Sequence, residues 1–456
     1  MASAPSEIRL RLRSRLSEAL AAQDGSIAVG LSGGLDSSLL LTLVCELRDR
    51  GELVQPLRAL HIDHGIHADS DAWRAHCEAL CRRLGIDLVV RLAQLGGTAA
   101  GDGAGGKISE QAARTARYSL FEQVLAPNEC LLLGHHLDDQ LETSLLRLNR
   151  GAGVDGLAGM PMQRSLGSGL LLRPWLAFRR AELEACAAEV GAVFITDPSN
   201  ACPDYDRNLL RNEVLPAIEA RWPQYRQSWG KSLQLIAESA ELTAELGAID
   251  LAHCRIAGSG RLGLAEVTKL APARRRNLLR HWLLALSASA PSWHLLARLD
   301  GELACEAGDG GQWQGDGFTL YRYRDELVAV RSDSFEVTQT PLLWTARDGA
   351  CLSLPHNGTL QAFGKSTTEL AAFHVAYRRG GERIQLRGRP TKLLKKALNE
   401  ARVPPWLRDR TPLVFRGERL AWVAGLGVAE RERDGAADEE SGGFAWQPPA
   451  LELGLD

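Results

Sequence analysis

At 456 residues, with 45% hydrophobic and 24% charged content, the chain is long for one compact core and ordinary in composition, so two or three globular domains are expected. A formal net charge of −3 excludes a protein that is basic throughout, and no apolar run approaches the about 20 residues that a membrane-spanning helix needs. The nine cysteines are odd in number and form no Cys-x-x-Cys, which excludes a zinc ribbon or a paired redox site, and the polar start from Met1 to Arg15 lacks the apolar core of a secretion signal, so a cytoplasmic location without membrane contact is expected.

Ser26–Leu31 is a short apolar run ending in glycines, and Leu35–Asp49 has helical spacing. Leu57–Asp63 reads as a second strand. In Asp71–Leu84 the residues Trp73, Cys77, Leu80, Cys81 and Leu84 fall on one helical face. Ile86–Leu92 reads as a strand, Ser109–Leu125 as a helix, Cys130–Gly134 as a strand and His136–Leu148 as a helix. Leu170–Trp175, Arg179–Val190 and Val193–Ile195 give a further strand, helix and strand. Repeated strand–helix units predict an α/β fold: a doubly wound, Rossmann-like parallel sheet whose ligands collect at the carboxyl ends of the strands. The glycine-rich Gln94–Lys107 reads as a loop.

After Asn212 the pattern becomes mainly helical, with Glu213–Leu246 broken near Pro223, then Leu270–Ser287 and Ser292–Ala307. Trp313–Arg331 and Glu336–Leu354 alternate like strands, and the tail from Phe373 mixes strands with a helix over Lys392–Ala401. Three domains follow: 1–215, a mostly helical 216–365, and a small α+β domain at 366–456. Charge is segregated: Arg378–Arg410 holds eleven Lys or Arg against three acids, and Glu430–Asp456 holds two against eight.

The segment Ser32-Gly33-Gly34-Leu35-Asp36-Ser37 lies between strand and helix. A helix start presents unpaired N–H groups and the positive end of its dipole, two glycines let backbone approach an anion, and Ser32 and Ser37 add hydroxyl donors. The result is an anion cradle, although an ordinary strand–helix turn uses the same residue types. A Walker loop would need a lysine after the glycines; here Asp36 stands instead, and a carboxylate beside phosphates calls for a bridging cation, so Mg²⁺ held partly by Asp36 is expected. Gly101–Lys107 has the Walker spacing but is followed by Ile108, which cannot hold magnesium.

His136, Asp138, Asp139 and Glu142 open a helix directly after a strand, where such sheets bind ligands. Acids there could hold Mg²⁺ or receive a cationic amine and help remove its proton; helix capping is the alternative. Arg114 and Arg117 are three apart, and Arg207 and Arg211 four apart; each pair suits phosphate binding or a solvated face. Gly151-x-Gly153-x-x-Gly156 has the letters of a dinucleotide fingerprint but follows a helix, so it reads as a loop. The basic stretch with Trp406, including Lys392, Lys395 and Lys396 on one helix side, suits RNA backbone contacts or a solvated face.

The strand–Ser32-Gly33-Gly34-Leu35-Asp36-Ser37–helix unit resembles the N-type ATP pyrophosphatase (PP-loop) superfamily. Four more segments narrow the resemblance: Glu110-x-x-Ala113-Arg114-x-x-Arg117-Tyr118, His135 to Thr143, Arg150 to Leu157, and Asp197-Pro198-Ser199-Asn200 with Arg207-Asn208-x-x-Arg211. Together with Lys392–Pro412 they resemble the tRNA(Ile)-lysidine synthetase family. The resemblance implies ATP-dependent ligation of L-lysine to C2 of the wobble cytidine of a CAU-anticodon tRNA(Ile), through an adenylated cytidine, with release of AMP and pyrophosphate. It implies ATP contacts from Ser32 to Ser37 and from the strand end at His61 and Asp63. It also implies catalytic roles among Asp36, Arg114, His136, Asp138, Asp139 and Glu142, and tRNA contacts from Arg117, Arg207, Arg211, Lys392, Lys395 and Lys396. His67 stands where the family usually has Arg. A metal site from His61, Asp63 and His64 is a weaker alternative. The rival readings are a tRNA-thiolating relative, which needs reactive cysteines; an amidotransferase-type synthetase; a metal-dependent phosphohydrolase; and an RNA-binding protein without catalysis. Oligomeric state is left open, a homodimer included.

Overall fold

The computed structural model describes residues 6–63, 70–93, 110–196, 206–287, 291–304, 310–332, 340–363, 371–386, 390–428 and 443–454. The loop Gln94–Lys107 with its Walker-like spacing, His64, His67 and Asp197–Asn200 lie outside them. The chain divides into two compact units, Met1–Leu242 and Thr243–Asp456.

The first unit opens on a helix that its polar sequence does not announce. Glu7–Leu20 (α1) is N-capped by Ser6, whose hydroxyl accepts the Arg9 N–H, and Leu12, Leu16 and Leu20 are buried at four-residue spacing. Strands Ile27–Gly30 (β1), Leu57–Asp63 (β2), Asp87–Leu92 (β3), Cys130–Leu132 (β4), Gln163–Leu166 (β5) and Gly169–Leu172 (β6) form one sheet in the order β3-β2-β1-β4-β6-β5. Every pairing is parallel except that of β5 with β6. Helices Leu35–Asp49 (α2), Ser70–Leu84 (α3), Glu110–Val124 (α4), Leu137–Asn149 (α5), Val154–Leu157 (α6) and Arg180–Val190 (α7) connect and follow the strands.

Alternation along the strands feeds two cores. Ile27, Val29, Cys130 and Leu132 pack with α1, α2, α3 and α7 residues such as Leu16, Leu40, Cys77 and Leu183, whereas Ala28 and Leu131 pack with Phe121 of α4 and with Leu125 just after it. Helices thus cover both faces, as the alternating pattern predicts. The strand order reverses between β1 and β4, the switch point where open α/β sheets leave a crevice at the carboxyl edge. Val193–Ile195 is not the strand its apolar residues suggest. The place beyond β6 is taken by β5 through a hairpin, and Ile195 instead donates its N–H to the Gly33 carbonyl at 2.9 Å.

Asp206–Leu209 (α8), a π-helical turn at Leu210–Val214, Leu215–Arg221 (α9) and Tyr225–Cys254 (α10) follow, with the break at Trp222–Gln224 near Pro223. In the second unit, helices Pro272–Ser287 and Trp293–Ala304 pack through Leu279, Trp282 and Leu299 against a four-stranded sheet that includes Phe318–Tyr323 and Glu326–Arg331. A five-stranded and a three-stranded sheet, joined by Trp344, Trp422 and Phe444, complete a β-rich C-terminal part. No helix among the described residues is long and apolar enough to cross a membrane.

A buried acid with a part-buried arginine fixes the start of β4. Glu129 is 1% exposed and accepts from Arg58 Nε at 2.7 Å and from the Ala126 N–H at 2.9 Å. Glu129→Ala would leave the Arg58 guanidinium without its anion, so we expect a loss of about 3 kcal/mol in urea unfolding followed by circular dichroism. An unchanged midpoint would show the pair to contribute nothing.

Candidate active site

The glycine loop stands at the end of β1. Gly33 has φ +85°, a left-handed backbone that favours glycine, and a Cβ there would come within 3.3 Å of Cys77 Sγ and Ile195 Cδ1. Ser37 Oγ receives the Ser32 N–H at 3.1 Å, donates to the Gly34 carbonyl at 3.1 Å and lies 3.0 Å from Ser32 Oγ, so the two hydroxyls lock the loop's curl. The N-cap of α2 is Gly34, which has no side chain to cap the helix. The first-turn N–H groups thus have no side-chain cap, the condition under which a helix start can receive an anion. Leu35 is buried, and its side chain anchors the helix start in the core.

On the other side of the switch point, His136 is the N-cap of α5. Its Nδ1 accepts the Asp139 N–H at 3.4 Å, while the Asp139 carboxylate accepts the His136 N–H at 3.1 Å, a reciprocal cap. The ring's Nε2 faces Asp139 Oδ2 at 3.5 Å and Asp36 Oδ2 at 3.9 Å. His136 is thus the bridge between the glycine loop and the acid helix. The atoms that cap α5 belong to the same two side chains that face Asp36 across the switch point.

Behind this bridge lies an ion-pair network. Glu142, 1% exposed, accepts from Arg211 Nε and Nη2, both at 2.8 Å, and its Oε2 lies 3.0 Å from Arg207 Nε. Arg211 also reaches Asp139 Oδ1 at 3.4 Å, and Arg207 donates to Thr143 Oγ1 at 3.0 Å. Asp138 is committed elsewhere: it accepts the Arg180 N–H at 2.8 Å and Arg226 Nε at 2.7 Å, tying α5 to α7 and α10. Arg207 and Arg211 therefore stand on neither a free phosphate-binding face nor a solvated one, but as counter-ions inside the site.

The electrostatics separate the acids. Burial favours the protonated form of Asp139, but His136, Arg207 and the His136 N–H outweigh it and hold the carboxyl down at about 2. Burial dominates at Asp36 and Glu142 and raises both, against the pull of His136 and Arg211 respectively. Asp36 Oδ1 is buried and has no hydrogen-bond partner. An orphaned carboxylate oxygen at the rim of an anion cradle fits a divalent cation that takes oxygen ligands.

The other expected residues fall into two groups. His61 and Asp63 are buried at the end of β2, and His61 Nδ1 lies 2.8 Å from the Leu31 carbonyl, so its ring braces the end of β1 from below. Arg114 lies over the Tyr118 ring, 5.1 Å from its centroid, and Arg117 adds its charge to Tyr118 and His135. Arg226, Arg173 and the Arg180 backbone were not legible in the sequence, although Arg173 directly follows a strand whose end lines this edge. Among the described residues no group of three His, Cys, Asp or Glu is arranged to hold a metal.

In the second unit, Lys392 does not share a helix side with Lys395 and Lys396. It lies in a short strand, Lys392–Leu393, paired with Arg383–Ile384, and its ammonium pairs with Glu400; the helix begins only at Leu394. Leu393 is extended and caps that helix, which forces Lys392 out of it. Lys395 and Lys396 are exposed on the helix. Trp406 is 8% exposed and packs between Tyr321 and Tyr323, so it offers no stacking face to RNA.

Family models match three stretches: a PP-loop domain over residues 7–218, a TilS substrate binding domain over 262–328 and a TilS substrate C-terminal domain over 373–446. The chain is 40% identical to a tRNA(Ile)-lysidine synthase of Pseudomonas aeruginosa over 457 residues, covering 97% of this chain and 99% of that one. It is 40% identical to one of Pseudomonas putida, covering 87% and 92%. It is 37% identical to one of Escherichia coli O157:H7, covering 92% and 96%.

Asp139 generates a prediction about acid stability. Its folded value of about 2 lies below the ordinary 3.8, so its ionised form stabilises the fold above pH 4 by roughly 2 kcal/mol, and this is lost as pH falls from about 4 to 2. Urea titrations at pH 6 and pH 3 should show a stability drop in the wild type that is smaller in Asp139→Asn by about 1 kcal/mol, the half of that contribution already lost at pH 3. Parallel pH profiles for the two proteins would refute the assignment.

Proposed function

The chain belongs to the tRNA(Ile)-lysidine synthase family, and on that premise we propose that it is an ATP-using ligase that joins free L-lysine to C2 of the wobble cytidine of a CAU-anticodon tRNA(Ile). The observation that carries this reading is the pairing, across one strand switch, of an uncapped glycine loop with a buried acid–arginine network, bridged by His136. ATP phosphates suit Ser32 to Ser37, whose N–H and hydroxyl donors complement charge developing on the departing pyrophosphate.

In the proposed sequence the cytosine O2 attacks the α-phosphorus and the bond to pyrophosphate breaks. The lysine ε-amine then attacks C2, the C2–O bond breaks, AMP departs with that oxygen, and the amine gives up a proton. Asp139 and Glu142 offer the anionic surface for the incoming ammonium, with Arg207 and Arg211 as the counter-charges it must displace or share. Asp138 holds α5 in place. Asp36 would hold Mg²⁺, which when bound supplies positive charge against the phosphate oxygens. His61 and Asp63 lie under the nucleotide, the first as a brace. Residues 1–215 would carry the chemistry, and 216–365 and 366–456 would grip the tRNA, with exposed Lys395 and Lys396 among the backbone contacts.

A tRNA-thiolating enzyme is the nearest rival within the superfamily, and the thiol beside the site opposes it. Cys77, directly beneath Gly33, is pushed up to about 12 by burial, so it supplies no thiolate at neutral pH. A metal-dependent phosphohydrolase would not need the uncapped glycine loop, which opposes that reading.

Incubation with ATP, Mg²⁺, radiolabelled lysine and a tRNA set should label only the CAU isoleucine tRNA; label in other tRNAs, or none, would refute the substrate. Asp36→Asn should lower lysine incorporation at least about a hundredfold, within the range seen when one electrostatic group is removed from an active site, while tRNA binding persists in filter assays. Normal turnover would remove Asp36 from the mechanism. Lys395→Glu with Lys396→Glu should weaken tRNA binding and flatten its salt dependence, and unchanged affinity would return these lysines to the solvated surface.

A further inference from the structure

Most arginines of the first unit are matched by acids. Among the exceptions, Arg114, Arg147, Arg164 and Arg173 lie near one another and meet no carboxylate among the described residues. Arg173 is 2% exposed, yet its donors go to neutral acceptors only, with Nε on His135 Nδ1 at 3.3 Å, Nη1 on the Pro161 carbonyl at 2.8 Å and Nη2 on Tyr118 Oη at 3.2 Å. His135 cannot act as an anion, and burial holds its imidazole neutral down to about 3. Arg147 spends its donors on the Gly156 and Gly159 carbonyls at 2.8 and 2.7 Å.

These charges converge on one ring. Arg114 and Arg164 lie 5.1 and 5.0 Å from the Tyr118 centroid, and Arg114 Nη2 reaches the phenol oxygen at 3.5 Å. Cation–π contacts hold the guanidiniums in position without neutralising them. Tyr118 Oη accepts from two arginines, so its own proton is left to donate outward. Burial works against ionisation of this hydroxyl, but Arg173 and Arg114 together bring it below its ordinary value. Gathering uncompensated positive charge away from water is costly, and the natural compensation is an anion that arrives from outside.

We propose that Arg114, Arg164, Arg173 and the Tyr118 hydroxyl form a subsite for a backbone phosphodiester of the RNA substrate, next to the nucleotide being modified. The inference rests on the functional reading above and adds a location. Sheet order argues against the ATP phosphates as occupant: the glycine loop follows β1, whereas Arg173 follows β6, with β4 between them. Two strand spacings separate the two ends by about 10 Å. Arg164, on edge strand β5 and half-buried, is the member that reaches the rim.

The test uses the full chain with Arg164→Gln, Arg164→Lys and Tyr118→Phe. Filter binding of tRNA across a salt series should show Arg164→Gln weakened about tenfold, with the slope of log K against log salt smaller by about 0.7 for one lost single-strand phosphate contact. Arg164→Lys should recover most of the affinity, and Tyr118→Phe should weaken binding at an unchanged slope. The KM for ATP should stay at the wild-type value in all three. Unchanged tRNA affinity and slope in Arg164→Gln would overturn the proposal, as would a rise in the ATP KM matching that for tRNA. Binding needs no turnover, so a wild type that fails to incorporate lysine counts against the functional reading alone.

Discussion

Between β1 and β4 two pieces of backbone approach more closely than a side chain allows. A Cβ on Gly134 would stand 2.8 Å from the Asp36 carbonyl oxygen, so the end of β4 lies directly against the first turn of α2. That contact is possible because the sheet reverses its strand order there, with β1 paired to β2 on one side and to β4 on the other. Everything chemical in the first unit hangs from it. The glycine loop leaves β1, the acid helix α5 leaves β4, and the closeness of the two strand ends puts His136 within 3.9 Å of Asp36. A parallel sheet with no reversal would carry the two loops to opposite sides of neighbouring helices.

Two charge arrangements share this edge and differ in kind. Around Asp139 and Glu142, anions and guanidiniums are balanced, so the network is stable as it stands, and an entering cation would compete for its carboxylates. Around Tyr118, the guanidiniums outnumber the anions and the imbalance is held by packing. A ligase that brings together a nucleotide, an amine and a polyanion has use for both: a site that can trade cations and a site that lacks an anion.

The sequence carried some of this plainly. β1, the glycine loop and α2 were legible because a strand buried on both faces, a glycine pair and a helix with apolar spacing leave separate local signatures, and Leu35–Asp49 and Leu57–Asp63 appear where the pattern put them. α1 was not, because Arg9, Arg11, Arg13 and Arg15 alternate through it and its buried leucines recur only every fourth residue. β5 was hidden by its polar edge position, and its presence displaced the strand expected at Val193–Ile195. The partners of the arginines were beyond reach. That Arg211 meets Glu142 and Arg226 meets Asp138 depends on contacts 69 and 88 residues apart, which spacing cannot encode. Lys392 shows the converse failure, where a smooth helical spacing runs one residue pair too far across an extended N-cap.

The floor beneath Gly33 is a sulfur atom that behaves as a small apolar sphere. Cys77 Sγ is fully enclosed, and its nearest polar neighbour is His61 Nδ1 at 3.6 Å. Because the thiolate and not the thiol meets peroxide or an alkylating reagent, a group kept protonated to about 12 is protected by its surroundings rather than by a reducing cell. The floor of the glycine loop is thereby insulated from oxidative stress, and iodoacetamide or a mild oxidant applied to the folded chain would reach exposed Cys351 long before it reached Cys77.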